Sequence, residues 1–288
     1  MLALIALLSL SSEAVLFAQD NMFRMGYTTG TFVDVDIKDA NAAMDMWGKE
    51  MAAKEGWTGL SALYEDLDQL VRDFNDKKID IAVMRTNEYY KIKDKVEASL
   101  GFGHVISGKR TSKYLLLGTA DSAATGIKDL KGKKISVIKG DDIAMIYLNT
   151  VLLSSGLPEA KRYFADVSLT RKPSQAVLDV FFGRSDGAVV LESSFDTIAE
   201  LNPQIKQKLK ILSMSPGLIA GINIFRKDLS DSYKEKVFQY GAKLGENPRG
   251  RQILTLFKLD AVYRLKEEDL NPTMDFIARY ERLKTGRR

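Results

Sequence analysis

The chain contains no cysteine. That excludes a disulfide scaffold, a thiolate metal site, a cysteine nucleophile and lipid attachment through an N-terminal cysteine. It has one histidine, His104. A histidine-rich metal centre or a histidine-based triad is therefore hard to build, and His104, in GFGHVIS, reads as a residue beside a strand. Neither sign of charge dominates: 42 Lys and Arg face 38 Asp and Glu, for a net charge of +4. Nothing here argues for a nucleic-acid partner, and the basic tail Lys284, Arg287 and Arg288 reads as a solvated end. Short repeats, low-complexity runs and proline-rich linkers are also absent. What remains is an ordinary globular balance, 45% hydrophobic and 28% charged over 288 residues, enough for one large or two mid-sized domains.

The first twenty residues, MLALIALLSLSSEAVLFAQD, differ in kind from the rest. Their apolar core has signal-peptide length, and Ala18 is a small residue suited to precede a cleavage point. The run is short for a bilayer span and Glu13 interrupts it. Residues 1–18 are therefore read as a signal peptide and the mature chain as periplasmic. No Lys or Arg precedes the apolar core, and a buried N-terminal helix is the competing reading.

Beyond residue 20 the hydrophobic period alternates between two and 3.6. FRMGYT, WTGLSALY and IDIAVM read as strands. Asp36–Glu55 and EDLDQLVRDFNDKK read as amphipathic helices, the latter with Leu67, Leu70, Val71 and Phe74 on one face and Asp66 as cap. A further helix, RTNEYYKIKDKV, has Thr86 or Asn87 as candidate caps. HVIS and KYLLLGTA then read as strands leaving this unit. The stretch Leu115–Asp142 follows, with turn chemistry at Asp121, Ser122, Gly126 and Asp129, and a new strand, KKISVI, that ends at Gly140-Asp141-Asp142. After it come the helix DIAMIYLNTVLLSSG, the strand DVSLT, the helix SQAVLDVFFG with Ser174 as candidate cap, the strand SDGAVVLE and the helix SSFDTIAELNP. KLKILSMS and GLIAGINIFRKDL read as strands; Asp231–Gly245, Asn247–Lys258 and Pro272–Leu283 read as helices. Such alternation predicts an α/β fold with mostly parallel sheets covered by helices.

Four stretches, DLDQLVRDFNDKKIDIAVMRTNEYY, IKDLKGKKISVIKGD, PSQAVLDVFFGRSDGAVVLES and ILSMSPGLIAGINIFRKDLSDSYKEKV, make the chain resemble the type 2 periplasmic solute-binding proteins. The resemblance is to the phosphonate-binding branch, the receptors of phosphate, phosphite and phosphonate ABC importers. It implies a two-lobed fold, each lobe a sheet flanked by helices, with lobe one at residues 20–117 and 218–288 and lobe two at 118–217. It further implies a small ligand held in a closing interlobe cleft, a monomer, ABC permease subunits as partners, and no cofactor, metal or catalytic step. The same fold serving a membrane sensor kinase is the alternative. An enzyme reading would need Asp141 and Glu192 as an acid–base pair, and nothing positions a nucleophile beside them.

Loops after strands line the crevice of open α/β sheets. On that rule the first lobe offers Thr28, Thr29, Tyr64, Arg85, Thr86 and Asn87. Ser112 and Tyr114 lie near the crossing, and the second lobe offers Asp141, Asp142, Ser174 and Glu192. Hydroxyls, helix N-termini and an arginine suit an anion. Each residue also has a structural reading: Thr28, Thr86 and Ser174 as caps, Tyr64 and Tyr114 as packed aromatics, Arg85 as the ion-pair partner of Glu88 or Asp80, and Asp141 or Asp142 as an N-cap. The family resemblance implies a small Ser/Thr-Ser/Thr-Gly element in the second lobe, where this chain carries Lys139-Gly140-Asp141-Asp142-Ile143-Ala144. Carboxylates there would repel a phosphonate, so a zwitterionic ligand is the alternative.

Overall fold

The computed structural model describes residues 21–286 apart from Asp34 and Lys54. The signal-peptide reading of residues 1–18 lies outside the described residues. The chain begins with β1 (Met22–Thr28), α1 (Ile37–Ala53), β2 (Thr58–Tyr64), α2 (Leu67–Asn75), β3 (Ile81–Arg85), α3 (Thr86–Ile92), β4 (Ala98–Leu100) and β5 (Phe102–Val105). It continues through β6 (Tyr114–Thr119), β7 (Lys134–Ile138), α4 (Asp142–Ser154), α5 (Ala160–Tyr163), β8 (Asp166–Thr170), α6 (Pro173–Phe181), β9 (Gly187–Leu191), α7 (Glu192–Leu201), α8 (Gln204–Lys208) and β10 (Leu209–Met214). It closes with β11 (Gly221–Arg226), α9 (Asp231–Ala242), α10 (Pro248–Leu256), β12 (Ala261–Arg264) and α11 (Glu267–Lys284).

Two five-stranded sheets result, ordered β2-β1-β3-β11-β4 and β10-β6-β9-β7-β8, with β12-β5 as a separate ribbon. Helices cover both sheets, which makes two α/β lobes. The sheets are mixed rather than mostly parallel. β1 pairs in parallel with β2 and β3, and β7 with β8 and β9. The strands that return from elsewhere, β11 in the first sheet and β6 in the second, make antiparallel pairs on both sides. Each sheet has a hydrophobic cluster on either face. Trp47 and Phe225 belong to one cluster of the first sheet and Phe74 and Met84 to the other; Tyr147 and Val189, then Val177 and Leu117, do the same for the second. The central strands β3 and β6 are buried almost throughout, as strands covered on two faces must be.

Local chemistry explains most boundaries. Asp66 caps α2 by accepting from the Asp68 backbone N–H at 2.9 Å. α1 crosses β2 at closest approach over Gly59, where an added Cβ would lie 2.2 Å from the Gly48 carbonyl oxygen. Several expectations are corrected. Arg85, not Thr86 or Asn87, occupies the N-cap of α3. Lys172 occupies the N-cap position of α6 without a side-chain bond to it, and Ser174 lies inside its first turn because Pro173, with φ already suited to a helix, opens it. The last helix begins at Glu267, not Pro272. Three acidic residues favour its first turn, and Pro272 sits within the helix, forfeiting one backbone bond. The stretch expected as strand HVIS forms one residue pair earlier, at Phe102–Val105, because it pairs with the unanticipated β12.

Two features tie the architecture together. Asp80, buried beside the start of β3, accepts from Arg24 Nε at 2.8 Å, Arg24 Nη2 at 2.6 Å and Arg226 Nη2 at 2.9 Å, joining β1, β3 and β11. Between the sheets, Ser112 and Leu218 exchange two backbone hydrogen bonds of 2.8 Å, so the outgoing and returning segments run side by side. β6 is hydrogen-bonded within the second sheet over its whole length. The boundary expected after residue 117 falls inside that strand.

Candidate ligand cleft

A cavity of about 910 Å³ lies between the two lobes. The N-cap residues of four helices, Arg85 of α3, Asp141 of α4, Lys172 of α6 and Leu191 of α7, all line it. The first N–H groups of a helix lack backbone partners and carry its positive dipole end. Asp141 caps α4, accepting from Ala144 N at 3.3 Å. α6 and α7 have no side-chain cap; at their first turns Ser174, Ser193 and Ser194 line the cavity. An aromatic wall faces them from the first lobe. Phe257 stacks on Phe32 with ring centroids 5.6 Å apart and lies tilted against Trp47 at 6.4 Å.

Arg85 and Asp141 meet across the lobes. Arg85 Nη2 donates to Asp141 Oδ1 at 2.6 Å and lies 3.3 Å from the Tyr114 hydroxyl, which itself donates to Asp141 Oδ1 at 2.9 Å. Burial is the largest influence on Arg85 and opposes its charge, but the Asp141 carboxylate, the Tyr114 hydroxyl and the Glu88 carboxylate together outweigh it and raise the guanidinium pKa above its ordinary value. Burial, then the same carboxylate, pushes the Tyr114 phenol up. Arg85 therefore stays charged and Tyr114 neutral. The partner of Arg85 is neither Glu88 nor Asp80. Glu88 instead accepts the Arg85 backbone N–H at 2.8 Å and the Thr28 hydroxyl at 2.7 Å.

Of the residues expected from the sequence, Arg85, Asp141 and Ser174 line this cavity. Tyr114 lies directly beneath the ion pair, fully buried. The others are placed elsewhere. Thr28 is buried against Glu88, and Thr29 opens a short 3-10 turn whose last residue, Thr31, lines the cavity in its stead. Tyr64 packs in the first-lobe core and bonds Asp73 at 3.0 Å; burial, then that bond, pushes its phenol up to about 12. Thr86 donates to the Ile219 carbonyl at 2.6 Å. Asn87 bridges to Asp142 at 3.3 Å, and Asp142 lines a separate recess of about 440 Å³. Ser112 sits in the paired crossing. Glu192 pairs with Lys109 at 2.9 Å.

Sequence reasoning passed over Trp47, His104, Lys172, Ser193 and Ser194. The serines follow Glu192 in LESSFD, at the end of a strand, so the rule that selected Glu192 stopped one position short of Ser193 and two short of Ser194. Two lining residues also hold a buried, unpartnered nitrogen, Arg85 Nε and Trp47 Nε1. Both are donors only.

His104 lines the same cavity, and burial pushes its pKa from 6.5 down to about 4. The depressed value means that the unfolded chain takes up the proton first. The associated stability is whole above pH 6.5 and declines as pH falls, with about 3 kcal/mol lost by pH 4. The expected result is that wild type loses this much more stability than His104→Asn between pH 7 and pH 4 in urea titrations; parallel losses would refute it.

Two α/β lobes, paired crossings and a donor-rich cleft define a bilobal solute-capture protein. A family model described as ABC transporter, phosphonate, periplasmic substrate-binding protein matches residues 34–270, most of the chain. The chain belongs to that family of transport binding proteins, whose members work in the periplasm with small ligands and ABC transporter partners. Solved structures agree on the fold. A Pseudomonas aeruginosa binding-protein component of an ABC phosphonate transporter is 16% identical, with 93% of this chain and 89% of that one covered and a TM-score of 0.64. PhnD1 from Prochlorococcus marinus, in complex with methylphosphonate, is 12% identical, with coverages of 93% and 100% and a TM-score of 0.63. XAC2383 from Xanthomonas citri, bound to chloride, is 12% identical, with coverages of 92% and 99% and a TM-score of 0.66. No curated protein matches the sequence.

Proposed function

We propose that the chain, exported by removal of residues 1–18, captures as a monomer an oxyanion with an apolar body, a phosphonate or sulfonate, in the interlobe cavity and delivers it to ABC permease subunits. The observation that carries this reading is the convergence of the uncapped N-termini of α6 and α7, with Ser174, Ser193 and Ser194, on one cavity. Uncapped helix starts and hydroxyls are an anion cradle. The unpartnered N–H groups of Arg85 and Trp47 add donors whose natural complement is an acceptor. The acidic loop does not oppose an anion as its sequence suggests, because Arg85 and the α4 N-terminus neutralise Asp141. The wall of Phe32, Trp47 and Phe257 suits an alkyl or aryl substituent. The lobes meet at the segments around Ser112 and Leu218, which we take as the hinge.

Thermal melts of the full chain against phosphate, methylphosphonate, phenylphosphonate, an alkanesulfonate and arginine test the reading. A ligand at one hundred times its Kd adds about 2.7 kcal/mol. The organic oxyanions are expected to raise Tm more than phosphate or arginine. A rise with arginine alone, or with none of the oxyanions, overturns the proposal.

A further inference from the structure

The chain's one histidine stands on β5 in the wall of the cleft. Its ring has a partner that fixes its proton. Asn223 Nδ2, on β11, lies 3.3 Å from the Phe102 carbonyl oxygen and 3.4 Å from His104 Nε2. A carbonyl can only accept, so the group facing it is the amide nitrogen, which has a second hydrogen for the ring. Nε2 therefore carries the lone pair, and the proton of the neutral imidazole resides on Nδ1.

Nδ1 has no hydrogen-bond partner among the described residues. Its neighbour is Gly221, where an added Cβ would come 3.9 Å from Nδ1, an ordinary van der Waals contact. Gly221 also lines the cavity and lies opposite Arg85 in the β3–β11 register. The absent side chain leaves this side of the ring open, beside the residue that carries the cleft's buried cation.

We propose that His104 is a specificity residue of the cleft: its Nδ1–H donates to an acceptor oxygen of the bound solute, and Asn223 is the positioning residue that holds the tautomer. The inference rests on the cleft being the oxyanion site argued above. It sharpens the ligand class. A neutral donor rewards an acceptor oxygen without demanding further charge, whereas a solute presenting an ammonium or amide N–H at that point meets donor with donor.

Because the chain has a single histidine, nitrogen-15 NMR of the uniformly labelled protein shows one imidazole. Free wild type is expected to show a protonated Nδ1 and an unprotonated Nε2. Addition of phenylphosphonate, with methylphosphonate as second probe, is expected to shift Nδ1 while Nε2 stays unprotonated. Gly221→Ala, which sets a methyl group in ordinary van der Waals contact with Nδ1 without displacing the ring, is expected to weaken binding at least tenfold and leave the tautomer alone. Asn223→Asp, which turns the donor facing Nε2 into an acceptor, is expected to move the proton to Nε2 and weaken binding to a similar degree. A protonated Nε2 in the free protein overturns the inference. So does binding of either probe with Nδ1 unmoved and the Gly221→Ala affinity within twofold of wild type. If neither probe raises Tm or moves any signal, the oxyanion reading of the cleft itself falls, and this inference with it.

Discussion

Asp141→Ala is expected to lower folding stability by about 3–5 kcal/mol, because it strands the charge of Arg85 inside the molecule. The carboxylate takes the guanidinium at 2.6 Å, the Tyr114 hydroxyl at 2.9 Å and the Ala144 N–H at 3.3 Å through one oxygen. Both ionic side chains are largely sequestered, with 12% of the Arg85 side chain and 5% of the Asp141 side chain exposed, so water cannot replace the lost partner. Loss of the helix cap accounts for only about 1 kcal/mol of the expected effect. Asp141→Asn, which keeps a capping oxygen but no charge, should therefore fall much nearer to alanine than to wild type. Urea denaturation of the three proteins measures this. Recovery of most of the loss in Arg85→Met combined with Asp141→Leu would locate the cost in the unpaired ion. A loss below about 1 kcal/mol in Asp141→Ala would show that the lobes do not depend on the pair.

The second large effect is expected at Asp80, away from the cleft. Asp80→Ala removes the one carboxylate shared by Arg24 and Arg226, whose side chains are 19% and 9% exposed. The hydrogen bond to Asp80 is the main reason the Arg24 guanidinium pKa is raised. Two cations would then face each other across β1, β3 and β11, and a loss of about 3–5 kcal/mol or failure to accumulate as folded protein is expected. The solvent-exposed pair Lys49–Asp45 is the internal control: Asp45→Ala should cost less than about 0.5 kcal/mol. Equal effects at Asp80 and Asp45, read from the same denaturation curves, would remove the argument for a buried cluster. Because Asp80 does not line the cavity, any Asp80→Ala protein that folds should retain oxyanion affinity.

How much of this was legible in the sequence depended on the range of the interaction that decides it. DVSLT matches β8 residue for residue, and the face of Leu70, Val71 and Phe74 on α2 is buried as its spacing requires, because both signals are local. The all-apolar run in β6 marked a buried strand but had no period to say which sheet would hold it. The expected lobe boundary was therefore drawn through it. Short β12 exists only because β5 pairs with it from far back in the chain. The same holds for the cleft. Strand ends located Arg85, Asp141 and Ser174, but that Arg85 would meet Asp141, 56 residues away, rather than Glu88 or Asp80 is a matter of how two lobes face each other. The position of His104 in a ligand wall likewise depends on Asn223, 119 residues further on.

The strand order of the first sheet has a consequence in time. β11 sits between β3 and β4, yet it is made after the whole second sheet, β6 to β10. A chain emerging from the ribosome, or threading through a membrane pore from its N-terminus, holds every strand of the second sheet before the first can close. Until Gly221–Arg226 arrives, β3 has one face of its ladder open and the carboxylate of Asp80 has only Arg24. The half of the protein that begins first is thus the half that finishes last, and its unpaired edge is the stretch that most needs protection during synthesis or export.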